Sequence, residues 1–482
     1  MQWTVGKIGE ALRVAAPYSL VHKTVAGFSI DSRTVAPGEA FIALKGPRFN
    51  GHDFVRQALD RGAAIAVVDE THRMTYAAEL HKSLIGVLDT FQALQTLGRH
   101  ARRTWGRVII GVTGSTGKTT TKEMLAAILG ARYRVLKSEG NFNNEFGVPL
   151  TLLRLKAEHE VAVLELAMSH KGELAKLCVV AEPNIGLVTN VAPVHLEFFS
   201  SVEEIAEAKR ELVRGLAPPA IAVLNADDPR VSRFAENFSG KVFRYGIDNP
   251  AEVRAENIAD NGCAGTEFDL VLGAKRARAR LGLPGRHHVS NALAAFAVAS
   301  LLKIEPAEAA EVLARFQPAS LRGQLLRFAA GFTVVNDSYN SNPRALAAMA
   351  EALSRTPGAR RRIIVAGEMK ELGPTSPDLH REAGKGIAAL GNIDFLAGVT
   401  GDARFLVEGA QAAGLAADRA RFFDTKDAAA DWLASTVREG DWVLLKASRG
   451  VALETVLEAL QARHPLAPTK PGQAEPVARG KV

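Results

Sequence analysis

A lysine placed after two glycines and before a run of threonines, with a β-type run ahead of it, is a combination suited to holding phosphate. The stretch is Thr113–Thr119, TGSTGKT, between VIIGV (Val108–Val112) and TTKEM. Strand, loop and helix in that order let backbone N–H groups point inward, so β- and γ-phosphates rest at a helix N-terminus. Gly114 and Gly117 allow the curl, and Ser115, Thr116 and Thr120 complete the cradle. Lys118 brings a positive charge to a transferring phosphoryl group, and the Thr119 hydroxyl can ligate Mg²⁺. The commoner form of this loop has a glycine five residues before Gly117, where this chain has Val112. The tighter spacing points away from generic kinases and small GTPases. The loop predicts nucleotide binding without saying which reaction follows.

Other chemistry-bearing residues stand near strand ends, where sites in open α/β sheets are built. Glu165 closes VAVLEL (Val161–Leu166), His195 follows IGLVTN (Ile185–Asn190), and Lys209 lies in EEIAEAKREL. Three asparagines occur in EGNFNNEFGVPLTLL (Glu139–Leu153). Taken alone, His195 reads as a loop histidine, and Lys209, among glutamates, as a solvated helix charge.

The elements that must position these residues fall into three segments. Residues 1–106 carry short apolar runs, Ala40–Leu44 and Ile65–Val68, flanking turns and a helical stretch, which predicts a small α/β domain. Residues 107–317 alternate buried-strand runs with helices. Met124, Leu125, Ile128 and Leu129 share one face of the helix after the loop. A mostly parallel, doubly wound sheet is expected there. Residues 318–463 repeat the alternation with RRIIVAG, FLAGVTG and DWVLLKAS, a second Rossmann-like sheet. The polar, proline-rich stretch from His464 reads as a disordered tail.

Composition narrows the class. With 482 residues, the chain exceeds one core; 47% hydrophobic and 23% charged residues is a globular balance. Cys178 and Cys263 alone make no disulfide framework, the N-terminus has no signal-peptide pattern and no apolar run reaches a membrane span, so the cytoplasm is expected. The net charge of +7 includes RHARR (Arg99–Arg103), KRARAR (Lys275–Arg280) and RRR (Arg360–Arg362). None is interleaved with aromatics, so nucleic acid is not expected as a partner and solvated turns and strand ends are.

At this point the chain, from residue 1 to about 462, resembles the Mur ligases, ATP-dependent amide-forming enzymes of peptidoglycan precursor synthesis. The resemblance is carried by TGSTGKTTTKE (Thr113–Glu123), GNFNNEFGVPLTLL (Gly140–Leu153), ELAMSHKGEL (Glu165–Leu174) and TNVAPVHLEFFSS (Thr189–Ser201). EAKREL, NADDP, GRHHVSNALAA (Gly285–Ala295), NDSYNSNP (Asn336–Pro343) and GEMKELG (Gly367–Gly373) follow in order. DSRTVAPGEAFIALKG resembles the family's uridine-nucleotide domain, which implies substrate contacts at Ser32 and Arg33.

The resemblance implies the rest of the site. Glu165 and Thr119 would hold one Mg²⁺, and His195 would help hold a second. Lys209 matches a lysine carbamylated by CO₂, which turns a cation into an oxygen ligand. Asn144 matches the family's loop asparagine, with Asn143 as the alternative register. Asn291 would contact adenine, although a helix cap is its plain reading; Arg322 and Asp337 would contact the nucleotide, and Tyr339 and Asn342 the substrate. Within the family the likeness is greatest to the last step, in which UDP-N-acetylmuramoyl-tripeptide is phosphorylated by ATP on its carboxylate and D-alanyl-D-alanine displaces phosphate. A monomer whose domains close on these substrates is expected. The chain departs from the usual pattern at His288 (for Asn), Asn336 (for Asp) and Lys446–Ser448 (KAS for KGS). The rivals are the preceding ligase, which adds one diamino acid and usually has a DNPR-type sequence where this chain has NDSYNSNP, a block that therefore speaks against it, and a folylpolyglutamate synthase, which would lack the DSRTVAPGEAFIALKG domain. A nucleotide-dependent scaffold without chemistry is the non-enzyme alternative; intact Lys118, Glu165, His195 and Lys209 speak against it.

Overall fold

A computed structural model of the chain describes residues 2–46, 49–193, 198–318 and 321–468. The architecture is α/β with mostly parallel sheets. The chain divides into two compact units, Met1–Arg254 with Leu293–Ile304, and Ala255–Ala292 with Glu305–Val482. The segment 107–317 therefore contributes to both units.

The first unit begins with a four-stranded parallel sheet, ordered Phe28–Ser29, Ala40–Ile42, Ile65–Asp69 and Leu84–Val87. The helix Thr90–Trp105 follows, capped by Asp89, whose carboxylate accepts from Phe91 N at 2.7 Å. The buried guanidinium of Arg102, near the end of this helix, donates to the carbonyls of Ala181 and Glu182 and to Asn184 Oδ1, all at 3.0 Å. Arg99 and Arg103 pair with the Glu182 carboxylate. The RHARR cluster is thus an internal fastening between segments.

The phosphate-loop sheet of this unit is parallel, ordered Lys241–Gly246, Ile221–Asn225, Ile185–Val188, Val108–Thr113, Val161–Glu165 and Val135–Lys137. Val108–Thr113 is central, and later strands add on both sides of it. The order reverses there, which opens a crevice beyond the carboxyl ends of the strands. Near-continuous burial of Ile109, Ile110, Val112 and of Val161–Leu164 reflects cover on both faces.

In the second unit, six strands run Gln324–Arg327, Thr333–Asp337, Asp441–Lys446, Arg361–Gly367, Phe395–Val399 and Ala420–Phe423. Only the first pair is antiparallel. Separate apolar clusters cover its two faces. Lys275–Leu281 is a strand of a hairpin with Thr266–Leu272. Its Lys275, Arg276 and Arg278 pair with Glu305, Glu256 and Glu267 while Ala279 and Leu281 point inward. Arg361 likewise holds Asp441 at 2.6 Å.

The stretch expected to be a disordered tail is paired at its start. The chain beyond His464 does not lose structure at once: Leu466 bridges to Phe328, and Ala467 N donates to Arg327 O at 2.9 Å. Backbone pairing to an exposed strand edge needs no side-chain periodicity, so composition gave no sign of it. The rest of that tail, from residue 469, lies outside the described residues.

Candidate active site

Three adjacent strand ends build the site. In register, Val112 lies beside Glu165 and Thr113 beside Val188, so the loop, the glutamate and the Thr189–Ala192 stretch emerge side by side. Gly114 has φ +148°, and a Cβ there would stand 1.9 Å from Thr189 Oγ1. Only glycine fits that approach. Gly117, at φ +81°, leads into the helix Lys118–Leu129. The loop is strapped to the neighbouring strand's extension. Ser115 N donates to Asn190 O at 2.9 Å, Thr116 N to Asn190 Oδ1 at 3.0 Å, and Thr189 Oγ1 to Thr116 O at 2.6 Å. The Lys118 ammonium folds over the loop, donating to the carbonyls of Gly114 (2.7 Å) and Ser115 (3.2 Å). Thr119 and Thr120, half-buried, follow in the first helical turn, where the helix dipole favours anions.

Glu165 is 3% exposed. Its Oε1 accepts from Asn143 Nδ2 at 3.0 Å, while the buried Oε2 accepts no hydrogen bond. An orphaned carboxylate oxygen is costly in a protein interior unless a cation takes it. The donor set of Thr119 hydroxyl and Glu165 carboxylate is all oxygen, which suits Mg²⁺. Of the two asparagine registers, Asn143 reaches Glu165. Asn144 instead turns its Oδ1 to the N–H groups of Phe146 (3.2 Å) and Gly147 (2.9 Å) at the start of the helix Gly147–Leu153. Short polar side chains alternate between such caps and outward contacts, so sequence alone left the register open.

Lys209 is not a solvated helix charge. It is 2% exposed on the inner face of the helix Val202–Arg214, and it makes no ion pair with any described residue. Burial, with a smaller push from the Lys118 charge, brings its ammonium down to about 7 from the usual 10.5. The amine is therefore substantially neutral near physiological pH. His195 lies outside the described residues.

The remaining expected residues belong to other places. In the first unit, Arg33 is exposed and clasps Asp31 through Nε (2.9 Å) and a terminal nitrogen (2.7 Å), whereas the Ser32 hydroxyl turns inward to Gln57. In the second unit, Asp337 accepts from the buried Lys446 ammonium at 2.6 Å. Arg322 stacks 3.9 Å from the centre of the Tyr339 ring. Asn342 caps the helix Pro343–Ser354 through Ala345 N at 2.8 Å. Asn291 sits inside the helix Arg286–Leu301, 6% exposed, which excludes a cap. His288 Nδ1 is buried and unpartnered, and burial with neighbouring His287 holds the ring neutral.

Sequence reasoning missed Lys122 and Glu123, which extend the site. Lys122 is one helical turn beyond Lys118, so the TTTKE spacing carried the signal. Among the described residues, His52, Asp69 and His72 also lie close enough together to hold a metal ion. All four ring nitrogens there are engaged, with Asn50, with Asp69 N and with the Asp69 carboxylate.

A phosphate loop at the switch point of a parallel sheet, with a buried carboxylate beside it, defines an α/β nucleotide-using enzyme. The chain belongs to the Mur ligase family. Family models match in three stretches: the Mur ligase family catalytic domain at 24–103, the middle domain at 112–299 and the glutamate ligase domain at 321–449. The UDP-N-acetylmuramoyl-tripeptide–D-alanyl-D-alanine ligase of Bacillus subtilis is 34% identical, covering 95% of this chain and 98% of that one. The Escherichia coli enzyme of the same name is also 34% identical, covering 91% and 94%. The fold is similar to MurF from Acinetobacter baumannii, with a TM-score of 0.86 at 29% identity over 96% of this chain and 99% of that one. It is also similar to MurF ligase from Thermotoga maritima in complex with ADP, with a TM-score of 0.74 at 30% identity, covering 91% and 97%. These relatives weigh more than the NDSYNSNP block. Arg344 follows Pro343, so Ser341–Arg344 differs from DNPR at one position.

Proposed function

We propose that this chain is the ATP-dependent ligase that joins D-alanyl-D-alanine to the C-terminal carboxylate of UDP-N-acetylmuramoyl-tripeptide. The observation that carries it is end-to-end likeness to enzymes of that name, with the loop and buried glutamate in place. A substrate carboxylate oxygen attacks the γ-phosphorus, the bond to the bridging oxygen breaks, and ADP leaves. The dipeptide amine then attacks the acyl carbon, loses a proton, and the tetrahedral species expels phosphate to leave the amide. Lys118 neutralises charge on the γ-phosphoryl oxygens, and the loop N–H groups hold the phosphates in line. Thr119 and Glu165 Oε2 are the ligands for Mg²⁺, which supplies further charge neutralisation when bound, and Asn143 orients Glu165. His195 is kept as a ligand of a second Mg²⁺, and Arg322, Asp337 and Asn291 as nucleotide contacts. Ser32 and Arg33 serve the uridine-nucleotide substrate, with Tyr339 and Asn342 on the acceptor side.

For Lys209 the neutral amine adds to CO₂, forming an N–C bond and releasing one proton, which gives an anionic carbamate. The ammonium pKa, lowered by burial to about 7, supports this, because only the unprotonated amine reacts. ATP and a sugar-nucleotide as substrates, with two free buried cysteines, fit the reducing cytoplasm. ADP release with UDP-N-acetylmuramoyl-tripeptide tests the reading. Turnover is expected with D-alanyl-D-alanine and not with diaminopimelate, lysine or glutamate. Turnover with a single diamino acid on the dipeptide precursor would overturn it in favour of the preceding ligase.

A further inference from the structure

The buried oxygen of Glu165 raises a problem. A lysine stands beside it, and nothing in Lys122's own chemistry prevents its ammonium from filling that oxygen's free position. Lys122 is 0% exposed, and its Nζ lies 3.7 Å from Glu165 Oε2. That is close enough to offset charge but too long for a hydrogen bond. The ammonium is spent elsewhere. It donates to Ser138 O at 2.8 Å and pairs with Glu123 Oε1 at 3.1 Å. Glu123 is anchored in turn, because its Oε2 is held by Lys137. Ser138 ties the network to the site a second way, since its hydroxyl accepts from Glu165 N at 3.1 Å.

We propose that Glu123 is a positioning residue that holds the Lys122 ammonium off the metal-facing oxygen of Glu165. The proposal rests on the reading of Glu165 as a cation ligand. A buried ammonium takes the best carboxylate within reach, because unpaired charge is costly there. Among the described residues Lys122 has two within reach, Glu123 and Glu165. Removing Glu123 leaves Glu165 alone. A movement of about 1 Å then brings the ammonium to hydrogen-bond distance of Oε2, blocking a divalent cation both sterically and by charge.

The test is Mn²⁺ binding to the ADP-bound enzyme, followed by electron paramagnetic resonance, with thermal unfolding in metal-free buffer as the check of folding. Glu123→Leu is expected to weaken Mn²⁺ binding about 10- to 100-fold, the range seen for residues that orient metal ligands. Glu123→Gln, which keeps an acceptor, should show a smaller loss in the same direction, and it decides alone if Glu123→Leu does not fold. Adding Lys122→Met to the Glu123 variant should restore most of the affinity, because the competing ammonium is gone. A purely structural role for Glu123 would not be rescued by a second deletion. Unchanged affinity in the single variants, or a double variant as weak as the single, overturns the proposal. Glu165→Gln separates the two readings: if it leaves Mn²⁺ affinity unchanged, Glu165 is not a ligand, and the fault lies in the underlying assignment.

Discussion

The two parallel sheets end differently. At the carboxyl end of the second unit's sheet, Asp337 and Lys446 face each other in register and close a 2.6 Å pair, and the Lys446 ammonium donates a further hydrogen bond to Asn340 O at 3.0 Å. At the carboxyl end of the first unit's sheet, Glu165 Oε2 accepts no hydrogen bond, and Lys209, on the helix Val202–Arg214, is buried without an ion pair among the described residues. One end is finished by the protein alone. Under the proposed function, the other keeps groups that a ligand or a chemical modification completes. The folded chain bears the free-energy cost of an unsatisfied carboxylate oxygen at the first unit's end and pairs its charges at the second's.

The largest effects should come from breaking the unfinished end. Lys118→Ala is expected to lower kcat by ~10²–10³, read as ADP release, because charge on the transferring phosphoryl group loses its protein-borne counterpart. Activity within about threefold of wild type would remove Lys118 from the chemistry.

Lys209→Ala should be nearly inactive and partly restored by acetate, whose carboxylate can stand in for a carbamate. Lys209→Arg should stay inactive, since it keeps a positive charge where an anion is needed. Near-normal turnover of Lys209→Arg would contradict the carbamate. Lys209→Met should also be inactive yet melt at a higher temperature. The sign follows from the lowered value: between about 7 and 10.5 the unfolded lysine binds a proton that the folded one does not. The stability gain of the methionine should therefore be largest at or below pH 7 and fade as pH approaches 10.5. A gain independent of pH would mean that the lysine is not neutralised by folding.

The finished end should respond in stability first. Lys446→Met leaves the partly exposed Asp337 without its partner and is expected to cost about 1–3 kcal/mol in urea unfolding. Adding Asp337→Asn should recover part of that loss. No recovery would show that the lysine stem, not the pair, matters. The smallest effect is expected at Tyr339→Ala, which removes the ring under Arg322. A cation–π contact at a half-exposed site is worth about 0.5–1 kcal/mol, so the KM for ATP should rise about two- to fivefold with kcat little changed. A rise in the KM for D-alanyl-D-alanine beside it would report the acceptor contact proposed for Tyr339, and an unchanged KM for ATP would mean that Arg322 keeps its place without the ring.

Much of this could be read from the sequence where the physics is local. Val108–Val112 and TGSTGKT specify strand, turn and helix through residues a few positions apart, and the structure gives the strand Val108–Thr113 and the helix Lys118–Leu129. Glu165 was legible because a polar residue ending an apolar run falls at the carboxyl edge of a parallel sheet. The short strands Val135–Lys137, Lys241–Gly246 and Ala420–Phe423 were not, because their runs are brief or mix charge with apolar residues and take their place only by pairing with a neighbour.

What the sequence determined by itself was the phosphate loop, the order of the motifs and hence the family, since each depends on residue type and spacing along the chain. Tertiary structure alone decided which asparagine faces Glu165, that Lys209 is buried and substantially neutral, and that Lys122 stands 3.7 Å from an oxygen it does not bond. Those depend on how residues 122, 138, 143 and 165 converge and on which face of its helix Lys209 buries. Hydrogen bonding and desolvation act through space, and no spacing along the chain encodes them.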